Sequence, residues 1–87
     1  MVTRTARLSD WPDRTPAIVQ AVHDAPDAGA GIGARLAQLG FIAGEPVRVL
    51  HRGPGGREPL AVQIGETMFA LRWAEARCVE VAAAADA

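Results

Sequence analysis

Apolar positions follow two different periods along this chain. Between 15 and 23, and again in short runs from 47 to 81, they alternate with other residues; between 32 and 39 they recur every three or four. Alternation sends successive side chains to opposite faces of a strand, whereas the longer period lines one face of a helix. A first strand is therefore expected at 15–23, with Ala17, Val19 and Ala21 on one face and Ile18, Gln20 and Val22 on the other. Aliphatic residues on both faces predict that it curves. Ile32, Leu36 and Leu39 mark one face of a short helix. Further strands are expected at 47–52, at 60–64 with Leu60, Val62 and Ile64 inward, at 67–72, and at 78–81 with Val79 and Val81 inward. Residues 73–76 form one helical or 3₁₀ turn, with Glu75 in a structural role at its start.

The punctuation between these elements is specific. Gly40 follows the last periodic helix residue, where a glycine takes the left-handed conformation that ends a helix without steric cost. Phe41 then stands where a Schellman ending packs a residue back onto the helix, here onto Leu36. Residues 42–45 form a turn with Gly44 at the positive-φ position, and Pro46 opens the next strand. Gly65-Glu66 makes a tight hairpin, and 53–58 is a loop of turn-formers. The loop 24–33 slides into the helix, with Asp27 as the expected N-cap. Gly29, Gly31 and Gly33 weaken the first helical turn by about 1 kcal/mol each relative to alanine. Their GxGxG spacing does not meet the dinucleotide fingerprint. Leu8 and Trp11 form a small apolar cap, with Trp11 a lid over one end of the fold. Residues 1–7 and 82–87 are expected to be loose tails around a core of about 8–81.

Composition narrows the class. With 87 residues the chain holds one domain, and 49% hydrophobic residues are too many for disorder. Nine basic residues, all arginine, nearly balance ten acidic ones for a net charge of −1, which argues against a dedicated nucleic-acid binder. The lone Cys78 excludes an intrachain disulfide framework. The charged residues among the first twenty leave no apolar core for a signal peptide, and no run approaches a membrane span. A cytoplasmic protein without direct membrane insertion is expected.

Five short strands and one inserted helix predict a small, mainly β barrel, and the pattern alone leaves an SH3-like barrel and an OB-fold both open. The ordered set Leu39-Gly40-Phe41, Gly44, Val47-Arg48-Val49, Pro59-Leu60, Ala70-Leu71-Arg72, Glu75-Ala76 and Val79-Glu80-Val81 resembles the FeoA family, small proteins of the bacterial ferrous-iron uptake system. The match spans about 28–81. It departs from the family at Ala43, where proline is usual, and at Asp13-Arg14, where Pro-Gly is common. The resemblance implies the SH3-like alternative and a partner, the cytosolic part of the FeoB GTPase transporter. It also implies a second reading, since FeoA-like barrels serve as the last domain of iron-responsive repressors.

The sequence offers little for chemistry. His23, His51 and Cys78 lack metal-ligand spacing, so no metal site is predicted and His23 and His51 are only weak candidates. There is no nucleophile beside a base and no paired carboxylates, so a non-enzyme that needs no cofactor is expected. Protein binding remains. Leu39, Phe41 and Ile42 place three large apolar residues around one turn, and Arg35, Arg48, Arg52 and Arg72 are candidates for its rim, the pairing of residue types that suits protein recognition. Scarce aromatics disfavour an OB-like nucleic-acid face. Self-association is compatible with the sequence.

Overall fold

The computed structural model describes residues 4–84. The helix α1 covers Ile32–Leu39, and its ending is the geometry that the glycine pattern predicts. Gly40 has φ 114° and ψ 0°. Its N–H donates to the Ala37 carbonyl at 3.1 Å, and the Phe41 N–H reaches the Leu36 carbonyl at 3.0 Å. These are the two bonds of a Schellman ending. They turn the chain sharply enough to drive Phe41 into the core beside Leu36.

The start of α1 differs from expectation. Asp27 lies in a 3₁₀ turn, Pro26–Ala28, and makes no cap bond. The cap comes from Asp24, whose Oδ1 accepts the Gly33 N–H at 2.8 Å. A Cβ at Gly33 would sit 3.1 Å from the same oxygen, so a larger residue there would push the Asp24 carboxylate back by a few tenths of an ångström. A cap supplied from nine residues upstream leaves no local N-cap spacing to read.

Six strands form one antiparallel sheet: β1 at Thr5–Arg7, β2 at Ala17–Val22, β3 at Pro46–Arg52, β4 at Leu60–Ile64, β5 at Thr67–Leu71 and β6 at Val79–Ala83. Their spatial order is β1-β6-β2-β3-β4-β5. The domain is mainly β, as expected, but it has six strands rather than five, and β1 and β5 remain edges instead of closing the sheet. The extra strand is β1, in the segment expected to be loose. Thr5, Ala6 and Arg7 pair with Ala82, Val81 and Glu80 of β6. Three residues are too few to show a period; what orders them is the free side of β6 and the burial of Leu8 just beyond. The last strand likewise continues to Ala83, past the expected limit at Val81, and Ala82 is buried. Residues 85–87 of the expected tail, and 1–3 of the other, lie outside the described residues.

Two β-bulges bend the sheet around its contents. One falls between Val19 and Ala21 where β2 meets β6, the other between Val49 and His51 where β3 meets β4. Each inserts an unpaired residue and increases the local twist. Inside lie Val19, Val49, Leu60, Val62, Val79 and Val81, with Leu8, Leu36 and Phe41 from the connections. The turn after α1 is bonded to this sheet: the Gly44 N–H donates to the Val19 carbonyl at 2.8 Å, and the Val19 N–H donates to the Glu45 carbonyl at 2.9 Å. Trp11 packs against the core, and its Nε1–H donates to the Thr15 carbonyl at 2.9 Å. A second short helix, α2 at Trp73–Ala76, is capped by Glu75, whose Oε1 accepts the Arg72 N–H at 2.8 Å.

Gly40→Ala places a Cβ on a backbone with φ 114°. It should cost about 1 kcal/mol or more, or roughly 4–8 °C in Tm for a domain of this size. Thermal unfolding by circular dichroism checks this; an unchanged Tm would show that the fold does not depend on the left-handed cap.

Candidate functional site

Successive residues leave the helix cap in opposite directions. Phe41 is 0% exposed, and its ring centroid lies 6.1 Å from that of Phe69 at an interplanar angle of 46°. Ile42 is 51% exposed. Of the three apolar residues expected to form a binding patch, Phe41 therefore belongs to the core. It is an anchor under the surface and not part of it. Leu39 is half-buried and lines a groove of about 220 Å³ between α1 and β5, with Ile32, Leu36, Phe69 and Leu71 as its other apolar walls. Phe69, Ala70 and Glu75 join this site although the linear sequence near the helix exit does not contain them. The inward phase of Phe69 in the 67–71 alternation was the one available signal.

The four arginines do not share a rim. Arg35 borders the groove, with a side chain 67% exposed and its Nη1 3.7 Å from Glu75 Oε2. Arg48 projects from β3 beside Gln63 of β4, in a separate cleft with Pro16 and Pro46. Arg72 lies in a third cleft with Glu58 and Pro59. Arg52 is a structural clamp, which corrects its expected place on a binding rim. Its Nε donates to Asp13 Oδ1 at 2.7 Å, Nη1 to the Ser9 carbonyl at 2.8 Å and Nη2 to the Trp11 carbonyl at 2.6 Å. Its side chain is 14% exposed, and the guanidinium lies 6.0 Å from the Trp73 ring. Sequence spacing could not reveal this, because the partners are about forty residues away in the chain.

The titratable side chains do not converge either. His23 Nε2 is 2.8 Å from Glu80 Oε1 across β2 and β6, while His51 is exposed on β3 opposite Ala61. Among the described residues, no three His, Cys, Asp or Glu side chains are placed to hold a metal ion. Burial pushes the Cys78 thiol up, with Asp27 and Asp24 adding to the shift. Its Sγ–H donates to the Ala74 carbonyl at 3.4 Å, so Cys78 is held as a packed thiol and not as a reactive thiolate. The hydrogen bond with His23, helped by one with Thr5, holds Glu80 below the ordinary 4.5. No helix among the described residues is long and apolar enough to cross a membrane.

A small, coiled, mainly β sheet with one helix inserted between its strands and an apolar groove beside it defines an SH3-like domain. A family model for the FeoA domain matches residues 6–83. The structure of FeoA from Stenotrophomonas maltophilia, solved with zinc and described as a procaryotic SH3-domain candidate activating factor of bacterial ferrous iron transport, is 49% identical. It superposes with a TM-score of 0.76 over 86% of this chain and 87% of that one. FeoA from Chlorobium tepidum is 28% identical, with a TM-score of 0.75 over 91% of this chain and 70% of that one. The chain belongs to the FeoA family. A manganese-dependent transcriptional repressor shares the fold at 19% identity, with a TM-score of 0.77 over 97% of this chain and 44% of the repressor. No curated protein matches the chain.

Removing the Arg52 clamp leaves the Ser9 and Trp11 carbonyls without their donor. Arg52→Ala should cost about 2 kcal/mol or more in urea unfolding, while Arg48→Ala stays within about 0.5 kcal/mol. Equal effects would contradict the assignment of Arg52 to the framework. A second expectation concerns acid. Because the folded-state pKa of Glu80 is depressed, its contribution is present above the ordinary carboxylate range and is lost as pH falls through the lowered value. Glu80→Gln should therefore flatten the acid limb of a Tm–pH curve. An acid limb identical to wild type would show that the His23–Glu80 contact carries no linkage.

Proposed function

We propose that this FeoA-family chain is a non-enzymatic accessory protein of ferrous-iron uptake. It binds the cytosolic part of a FeoB-like GTPase transporter through the helix exit and the adjoining groove. The observation that carries this reading is the pairing of a locked anchor with an exposed neighbour. Phe41 is held in the core, so Ile42, 51% exposed, is presented on a rigid turn, three positions on from Leu39 in the groove wall. A large aliphatic side chain fixed in place loses little further freedom on docking, which is what a binding centre requires. Arg35 supplies a charge at the border, and the small net charge of −1 keeps long-range repulsion low. The 49% identity to the S. maltophilia protein, described as a candidate activating factor of ferrous iron transport, supports the choice of partner. Action from the cytoplasmic side, without insertion into the bilayer, follows from the same reading.

The test uses calorimetric titration of the chain into the isolated cytosolic domain of the transporter. Ile42→Asp should retain the wild-type circular dichroism spectrum and weaken binding by roughly 2 kcal/mol or more, about thirtyfold. Phe41→Asp should unfold the domain, because it buries a charge without a partner. Arg35→Glu should weaken binding a few-fold at low salt and converge with wild type as salt rises. Full binding by Ile42→Asp moves the docking surface elsewhere. No binding by the wild type removes the transporter reading.

A further inference from the structure

The two edges of the sheet are not equally protected. Proteins blunt exposed edges with short strands, charges, proline or bulges. The edge strand β1 has three residues, ends on Arg7 and follows Arg4. The opposite edge, β5, runs Thr67-Met-Phe-Ala-Leu71 with no charge and no proline, and its register with β4 is continuous without a bulge. The two-residue turn Gly65-Glu66 closes that hairpin at Ile64–Thr67, so Thr67, Phe69 and Leu71 exchange their backbone bonds with β4. The alternate residues, Met68 and Ala70, therefore direct their N–H and C=O groups toward the open edge. Met68 is also 61% exposed, the most exposed large apolar side chain among the described residues.

We propose that β5 is a self-association edge and that its occupant is β5 of a second copy, paired antiparallel about a two-fold axis at Phe69. In that register Met68 faces Ala70 of the second copy and Ala70 faces its Met68. These are the residues whose backbone groups are free, so both become hydrogen-bonded pairs. The large Met68 side chain lies over the small Ala70 on the outer face, which covers it. Charge selects this register over its neighbours. Glu66 stands two residues before Met68 and Arg72 two after Ala70, both exposed and neither in an ion pair among the described residues. Pairing centred on Phe69 sets Glu66 of each copy beside Arg72 of the other. A slip by two residues leaves both charges facing uncharged positions. Both charges lie just beyond the ends of β5, Glu66 in the turn before it and Arg72 after it, and opposite charges brought together at the ends of a strand pair attract whereas like charges repel. The same patch meets itself under the two-fold axis, so the assembly closes as a dimer.

Sedimentation equilibrium of the purified chain alone at low salt tests this independently of any transporter. The expected result is a monomer–dimer equilibrium with no larger species. Glu66→Arg and Arg72→Glu should each raise the dimer Kd by about tenfold or more, since each sets like charges together at both ends of the pair. The double exchange, Glu66→Arg with Arg72→Glu, should return it to within about threefold of wild type. Met68→Pro removes an edge N–H that β4 does not use and should abolish the dimer with the fold retained. If that variant does not fold, the charge exchange alone decides. A chain that stays monomeric up to about 1 mM overturns the proposal. So does a dimer indifferent to the single reversals, or one not restored by the double exchange. Growth beyond dimers would instead place β5 against another surface, such as β1 of the next copy, and overturns it as well.

Discussion

The left-handed turn at Gly40 is the constraint from which most of this domain follows. It reverses the chain within one residue and satisfies the last helical carbonyls through the Gly40 and Phe41 amides. It also delivers the largest fully buried side chain, Phe41, to the centre of the core. Losing a buried phenylalanine costs about 3–5 kcal/mol, a large share of the stability available to a domain of this size. The residues that follow then close the turn onto β2 through Gly44 and Glu45. Helix, turn and sheet are thus fastened at one point, and the groove between α1 and β5 exists because the helix is held there.

That fastening also separates the side chains that hold the fold from those left at its surface. Rigidity comes from Phe41 and from the Arg52 clamp, both hidden or nearly so. The side chains that the core does not need stay at the surface: Ile42 at the exit, Leu39 and Arg35 along the groove, and Met68 on the outer face of β5. The groove wall and the open edge of β5 share Ala70.

Legibility in the sequence tracked the range of the forces involved. The helix, its glycine cap, the hairpin at Gly65-Glu66 and the inward faces of β4 and β6 are local, and period and turn chemistry revealed them. The ordered match around Leu39-Gly40-Phe41 added the SH3-like fold that periodicity could not separate from an OB-fold. What stayed hidden depends on residues distant in the chain. β1 is ordered by β6 and the buried Leu8 beyond it, α1 is capped by Asp24 rather than Asp27, and Arg52 turns inward because Ser9, Trp11 and Asp13 await it. The apolar run Leu39-Gly40-Phe41-Ile42 marked the right region. It could not say which of Phe41 and Ile42 faces solvent, since one residue of phase decides that and the cap geometry sets the phase.

The helix exit hides Phe41 and leaves the next residue, Ile42, open to solvent, where the proposed docking would use it. Methyl-resolved NMR during titration with the transporter's cytosolic domain tests it most directly. The Ile42 and Leu39 methyls should shift and broaden while those of Val62, Val79 and Val81, in the core, remain in place. Shifts confined to residues remote from the groove, with Ile42 unmoved at saturation, would contradict it.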